Sequence, residues 1–331
     1  MSGKRIIECV PNFSEGRRPE VIQAIADAIA TVDGVRVLHI DRGEAANRTV
    51  ITFIGEVEAM VEAAFRAVKK AVELIDMRQH HGEHPRIGAT DVLPLIPIEG
   101  ITLQECAEIA RQLARRLAEE LLIPCYCYEA SALRPEFRNL AVCRSGEYEA
   151  LPQKLANPEL APDYGARPFD ERVARTGCTV IGARDFLLAV NFNLNTTSAT
   201  QANDIARLVR EKGHNGHKGT LKATKAIGWY IEEYGIAQVS MNLCNLNITP
   251  LHVAFEEVSR QAALMGLQVT GTEIIGLVPE PTLLDAGRHF LLQQGISPDA
   301  DNTTIIDAAI QSMHLDELRP FIPSEKILPL L

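Results

Sequence analysis

Gly88-Ala89-Thr90-Asp91-Val92-Leu93-Pro94-Leu95-Ile96-Pro97-Ile98 is the stretch from which the fold of this chain is read, together with residues 102–122 and 123–128 behind it. The first run is apolar and short, as a buried strand is. Pro94 and Pro97 remove backbone donors, which suits an edge or a short segment. Residues 102–122 carry apolar side chains at helical spacing, and Thr102 with Glu105 three positions on forms a capping box. Residues 123–128 are again apolar and short. Strand, long helix, strand is the signature of an α/β chain.

The same reading extends upstream. Residues 5–10 form a strand that Pro11-Asn12-Phe13-Ser14-Glu15-Gly16 interrupts, and residues 20–31 form a helix. Residues 35–40 and 48–54 are strands, the second rich in β-branched side chains. Residues 58–75 form a long alanine-rich helix. Downstream, residues 151–177 lose all periodicity and read as a linker or an extended arm of unusual length. Strands are then expected at 179–183, 186–194, 222–231, 237–243 and 269–277, with helices at 198–212, 250–265, 281–291 and 303–314.

The expected fold class is α/β, of α+β-like character: two similar subdomains, each a mixed β-sheet with helices on one face. Residues 1–177 form the N-terminal subdomain, including the arm 151–177. Residues 178–300 form the C-terminal subdomain and residues 301–331 a helical extension.

A chain of 331 residues with 46% hydrophobic content supports more than one core. Its net charge of -10 argues against general nucleic-acid or anionic-membrane binding. Cys9, Cys106, Cys125, Cys127, Cys143, Cys178 and Cys244 are odd in number and scattered, which fits buried reduced thiols in a cytoplasmic protein. No apolar run is long enough for a membrane span or a signal peptide, so neither is expected.

Chemistry concentrates in Gln79-His80-His81-Gly82-Glu83-His84-Pro85-Arg86. Three imidazoles, a carboxylate and a guanidinium lie in a stretch that Gly82 and Pro85 keep from being helical. His80 to His84 spells the inverted zinc-peptidase pattern, but that pattern needs a helix to put both imidazoles on one face. Metal-free general acid–base catalysis is the better fit, with His84 as the proton-transferring group. Arg48 and Arg86 could fork onto substrate carboxylates or serve in ion pairs. Asn12 and Asn47 could make Asx turns. Asp41, at a strand end, could cap a turn or partner a histidine.

Several blocks in sequence order carry a family resemblance. Glu8-Cys9-Val10-Pro11-Asn12-Phe13-Ser14-Glu15-Gly16, Asn47-Arg48-Thr49-Val50, Gly82-Glu83-His84-Pro85-Arg86, Gly146-Glu147-Tyr148-Glu149-Ala150-Leu151-Pro152, Ile227-Gly228-Trp229-Tyr230 and Gly276-Leu277-Val278-Pro279 resemble the glutamate formimidoyltransferases. That family includes the formiminotransferase half of formiminotransferase–cyclodeaminase. The likeness covers residue 5 to about residue 293 and is to the transferase half, so only the transferase step is expected.

The resemblance implies two α/β subdomains whose sheets face each other around a substrate tunnel. It implies transfer of a formimidoyl group from N-formimidoyl-L-glutamate to tetrahydrofolate, the co-substrate, in histidine breakdown, without a metal. The family's catalytic histidine matches His84. Its folate-contacting segment falls in the arm, on Gly165, Ala166, Arg167, Pro168, Phe169, Thr176 and Gly177, and a further folate contact matches Arg210. The arm is longer and more charged here than in the animal form.

With that reaction in view, Asp41 would stabilise the protonated formimidoyl carbon and orient His84, while Asn12, Arg48 and Arg86 would bind substrate. A formyl donor differs from a formimidoyl donor by one oxygen-for-nitrogen exchange, and stands as the alternative. The expected partners are folate and L-glutamate derivatives, with a homodimer as the expected assembly.

Overall fold

A computed structural model describes residues 4–328. The chain divides into two units, the first ending at Asp185 and the second beginning at Phe186.

In the first unit the strands are β1 (Ile6–Cys9), β2 (Asn12–Phe13), β3 (Val35–Gly43), β4 (Arg48–Glu56), β5 (Thr90–Glu99), β6 (Cys125–Glu129) and β7 (Thr179–Ala183). Its helices are α1 (Pro19–Ala30), α2 (Val57–Leu74), α3 (Leu103–Glu120), α4 (Leu140–Cys143), α5 (Leu151–Ala156) and α6 (Glu171–Thr176). All seven strands form one mixed sheet. β3 pairs with β4, and β1 and β2 both lie between β4 and β5 as one strand interrupted at Val10-Pro11. β5, β7 and β6 continue the sheet in parallel.

Two expectations change here. β5 sits in the middle of the sheet, although its prolines suggested an edge. Pro94 falls where the register passes from β1 (Cys9 opposite Leu95) to β2 (Asn12 opposite Val92), and Pro97 lies beyond the last β7 pairing, Leu95 with Ala183. Both prolines therefore stand at breaks in the ladder, where an N–H is dispensable. Strand β7, expected to open the second subdomain, instead closes the first sheet between β5 and β6. The boundary accordingly follows Asp185, not residue 177.

Helices α1, α2 and α3 cover one face, packing on Ile7, Phe13, Phe53, Leu93, Cys127 and Ile181. Ala63, Ala64, Ala67 and Ala71 leave no side chain to hold α2 away from its neighbours, and all four are buried. The capping box on α3 forms as its spacing requires: Thr102 Oγ1 accepts from Glu105 N at 3.2 Å, and the Glu105 carboxylate accepts from Thr102 N at 2.9 Å.

The second face is not uniformly open, as helices on one face alone would leave it. Over β5, β7 and β6 it is buried under Phe137, Cys143, Leu151 and Val173, with Phe137 edge-on to Tyr126 at 5.3 Å. The segment 151–177 is the reason. It is not a loose linker: it contains α5 and α6, and its Asp163 and Tyr164 hydrogen-bond to Cys125 and Cys127, covering the outer edge of β6. Arg167 and Arg172 donate to the Leu122 and Leu121 carbonyls at the end of α3. The charge of the arm thus complements a helix C-terminus. Over β3, β4 and the β1–β2 strand the same face carries polar side chains.

The second unit contains β8 (Leu188–Leu194), β9 (Thr224–Ile231), β10 (Ile236–Leu243), β11 (Val269–Ile275), β12 (Val278–Pro279) and β13 (Ile327–Leu328). Its helices are α7 (Ala199–Val209), α8 (Leu251–Leu264), α9 (Glu280–Gln293), α10 (Asn302–Met313) and α11 (Pro323–Lys326). β11, β8, β10 and β9 make an antiparallel sheet in that order. Strict alternation sends Leu188, Val190, Phe192 and Leu194 into the core under the helices, and Asn191 and Asn193 to the opposite face.

Helix α10, expected in a separate extension, belongs to this core through Ile305, Ile306, Ala309 and Met313. It approaches α9 closely enough that a Cβ on Gly287 would lie 1.9 Å from the Ile305 carbonyl oxygen. The end of that extension, residues 329–331, lies outside the described residues.

Candidate active site

The loop after Met77–Gln79 is irregular through Arg86, with a bend at Glu83-His84, so His80 and His84 do not share a helix face and the zinc-peptidase geometry does not form. Gly82 lets it lie on the turn between β3 and β4: a Cβ there would stand 2.4 Å from the Ala46 carbonyl oxygen. Asn47 ties the two together. Its Oδ1 accepts from Gly16 N at 2.9 Å and its Nδ2 donates to the His81 carbonyl at 2.8 Å. It does so with φ 45°, a left-handed conformation that asparagine tolerates better than most residues.

His80 bonds the Asn47 carbonyl through Nε2 at 2.8 Å. A carbonyl only accepts, so Nε2 carries the proton and Nδ1 is free to accept from Arg86 Nε at 3.3 Å. Burial, followed by the charge of Arg86, holds this imidazole below its ordinary value, opposed by the Asn47 bond. Arg86 has every donor engaged: Nε on His80, Nη1 on Glu147 and Glu149, and Nη2 on Glu149 and the His80 carbonyl. It is buried as well. Of the two roles open to Arg86, a carboxylate fork or an ion pair, these contacts are those of an ion pair. Arg86 clamps the loop to the 147–149 turn.

His84, two residues before Arg86, is half-buried. Arg48 Nη1 lies 3.0 Å from His84 Nε2 and donates to Asn12 Oδ1 at 2.8 Å. A guanidinium cannot accept, so Nε2 presents its lone pair and the proton is on Nδ1. Proline has no N–H, so the backbone bond that His84 makes with Pro85 is to its carbonyl. Burial comes first in lowering the His84 pKa well below the usual histidine value, followed by the charges of Arg48 and Arg144. The ring is neutral at neutral pH, with one identified acceptor nitrogen.

The supporting groups come from four strands. Arg48 starts β4 and Asn12 starts β2. Asp41 of β3 stands opposite Val50, and Val50 opposite Asn12, so the three share one row on one face. The Asp41 Oδ2 lies 4.0 Å from His39 Nε2. Asp91 of β5 accepts from Ile87 N at 3.0 Å and pairs with Arg144, fixing a cation near His84. Burial raises the Asp91 pKa, against the pull of Arg144.

Of the arm, Thr176 and Gly177 reach the site loop. Ala89 N donates to the Thr176 carbonyl at 2.8 Å, and Gly177 bridges Gly88 with a φ of 65°. Gly165 turns with φ 67° against Ala118. Ala166 follows it, and Arg167 pairs with Asp170, the cap of α6, whose N donates to the Pro168 carbonyl. Phe169 meets Tyr148 edge-on at 6.1 Å. Arg210 belongs to the second unit, where it donates to the Gly213 and Ala226 carbonyls at the end of α7.

Sequence reasoning missed Glu8. It points to the polar face beside Ile54 and Ile96, fully buried, with Oε2 unpartnered among the described residues. Burial raises its pKa to about 7, with Arg184 opposing. The signal was present: an isolated acid in Ile6-Ile7-Glu8-Cys9-Val10 has no solvent-facing explanation on a buried strand. Among the described residues no group of three His, Cys, Asp or Glu side chains is placed to hold a metal ion, and no helix is long and apolar enough to cross a membrane.

Known protein families match the chain in the same two parts. The N-terminal subdomain of the formiminotransferase domain matches residues 6–184, and the formiminotransferase domain matches residues 189–330. The formimidoyltransferase-cyclodeaminase of Sus scrofa is 46% identical over 328 residues, 99% of this chain and 60% of that protein. The chain thus spans about 60% of the length of the curated relatives of that kind. Glutamate formimidoyltransferase of Streptococcus pyogenes serotype M1 is 44% identical over 287 residues, 87% of this chain and 93% of that protein. The Thermoplasma acidophilum enzyme of the same name is 40% identical over 292 residues, 88% of this chain and 93% of its own. With both subdomains matched in order, and a histidine loop built as described, this chain belongs to the formiminotransferase family.

Proposed function

We propose that this protein is a glutamate formimidoyltransferase that moves the formimidoyl group of N-formimidoyl-L-glutamate to N5 of tetrahydrofolate, with His84 relaying the proton. The observation that carries the reading is the neutral His84 ring, whose Nε2 lone pair is held in place by Arg48. N5 attacks the amidine carbon, and a bond from N5 to that carbon forms. The N5 proton passes to Nε2, where the incoming N–H takes the position of the Arg48 donor. The resulting imidazolium gives the proton to the glutamate nitrogen as its bond to carbon breaks, so glutamate leaves as an amine and His84 is neutral again.

A second role follows for Arg48. Displaced from Nε2, it remains bonded to Asn12 and is free to meet a substrate carboxylate. Asp41, on the same face, is the group we assign to the cationic amidine and to the orientation of His84. The arm 165–177 and Arg210 are the folate-contacting segments in this reading, by likeness to the family. The buried cysteines fit a cytoplasmic location, and a homodimer rests on the family resemblance.

Proton relay of this kind is worth about 10²–10⁴-fold in rate. His84→Ala is expected to lose transfer by at least about 100-fold while keeping tetrahydrofolate affinity within a few-fold. Initial rates with N-formimidoyl- and N-formyl-L-glutamate side by side test both parts. Retained turnover in the variant would remove His84 from the reaction, and faster formyl transfer would reassign the donor.

A further inference from the structure

The polar face of the second sheet is built around a chain of amides whose orientation is fixed. Trp229 on β9 stands opposite Gln238 on β10, and Gln238 opposite Asn193 on β8. Indole N–H can only donate, so the Trp229 bond at 3.0 Å identifies the Gln238 oxygen as the acceptor. Gln238 Nε2 then donates to Asn193 Oδ1 at 2.8 Å. This leaves Asn193 Nδ2 as a donor at the end of the chain. Asn193 and Gln238 are buried, so Nδ2 needs an acceptor.

The acceptor is the carboxylate of Glu317, with Oε2 at 2.6 Å. It does not come from the sheet. Glu317 lies in the segment after α10, anchored on one side by Leu315 and on the other by Phe321, both in the second core. On either side of these anchors the segment is tied to β11. Thr272 N donates to the His314 carbonyl at 3.1 Å, and farther along Lys326 Nζ donates to the Ile274 carbonyl at 3.1 Å.

Gly271 leaves room for the Glu317 side chain: a Cβ at that position would sit 2.7 Å from Glu317 Oε2. The other carboxylate of the network differs in kind. Glu273 is fixed on β11 and accepts from Asn191, Gln238 and Tyr234. Glu317 has one sheet donor and is exposed to solvent as a residue.

We propose that Asn193 Nδ2 and the recess at Gly271 form a carboxylate-binding site on the second sheet, and that Glu317 is its tethered occupant, displaced by small carboxylates. Displacement costs the network nothing if the newcomer supplies an acceptor oxygen. A neutral molecule of the same shape gains less, because a bond to a charged acceptor is roughly twice as strong as a neutral one. The site stands on its own geometry and does not depend on the reaction proposed above.

The chain has a single tryptophan, Trp229, which is bonded into this network. Its fluorescence therefore reports binding without any assay of turnover. The full-length protein is titrated with glutarate, and with glutaramide as the uncharged counterpart. Glu317→Ala removes the tethered competitor and is expected to tighten glutarate binding at least about tenfold, or 1.4 kcal/mol. Adding Asn193→Ala to that variant is expected to abolish the gain. Glu317→Ala leaves Asn193 Nδ2 without its carboxylate acceptor, so the single variant is expected to unfold at a lower denaturant concentration than wild type, and added glutarate to restore it.

Equal glutarate affinity in wild type and Glu317→Ala would overturn the proposal. So would glutaramide binding as tightly as glutarate, or no fluorescence change with either ligand in Glu317→Ala.

Discussion

Arg48 meets both the lone pair of His84 Nε2 and the amide oxygen of Asn12, and after burial it is the next influence that keeps the ring neutral. Its charge, after burial, disfavours the imidazolium. The acid limb of kcat/KM is therefore expected below the ordinary histidine value: activity holds as pH falls past 6.5 and is lost only under the lowered pKa of His84. Arg48→Met removes a depressing charge, so the limb should move up toward 6.5. The rate on the plateau should drop by about 10- to 100-fold, the worth of one charge-assisted hydrogen bond. A limb that stays in place would mean Arg48 does not set the titration of His84.

Glu8 works in the opposite sense. Its folded pKa of about 7 lies above the ordinary carboxylate value, so the native state holds the proton more tightly than the unfolded chain. Stability from this group is complete below about pH 4.5 and is lost as pH rises to about 7. Glu8→Gln should remove that loss, raising stability at pH 8 by up to about 3 kcal/mol and leaving it nearly unchanged at pH 4.5. Urea unfolding at the two pH values decides it. The octet around His84 could be read from residue types alone. The Arg48–His84 pairing could not, because it depends on a strand start and a distant loop meeting in space.

At the scale of elements, local signals were the most readable. The Thr102–Glu105 box marks the start of α3 because both of its bonds are made within one turn. The alternation of β8 told its two faces apart for the same reason. Pro94 and Pro97 misled because the breaks that accommodate them are made by β1, β2 and β7, which lie far away in sequence. The arm was opaque because its order comes from the edge of β6 and the end of α3, not from its own periodicity.

Where the arm meets the site loop, two glycines let backbones nearly touch. A Cβ on Gly177 would come 2.2 Å from the Ile87 carbonyl oxygen, at a φ of 65°. Gly177→Ala should cost more than about 2 kcal/mol and reduce turnover, since strain and clash both push on residues 87–89. Gly216→Ala serves as the comparison, having φ 81° but nothing within 4 Å. It should cost only about 1 kcal/mol, from conformation alone. Similar losses in both would show that the close approach at Gly177 is relieved cheaply.

At the scale of the whole molecule, the two-unit α/β plan was legible, and the division between the units was displaced by one strand. A strand-sized apolar run after a long irregular segment reads as a new beginning, and nothing local says that β7 returns to lie between β5 and β6. Two fragments separate the boundaries. Residues 4–185 include every strand of the first sheet and should unfold cooperatively in urea. Residues 4–177 lack β7, leave β6 without its strand neighbour, and should show no cooperative transition. Equal cooperativity in the two would place the boundary back at residue 177.

The position of β7 also dictates an order of events during synthesis. Helix α3 and strand β6 leave the ribosome some fifty residues ahead of the strand that docks them onto β5. Until then an apolar strand stays unpaired in a nascent chain, at the stage when chaperones bind and aggregation begins.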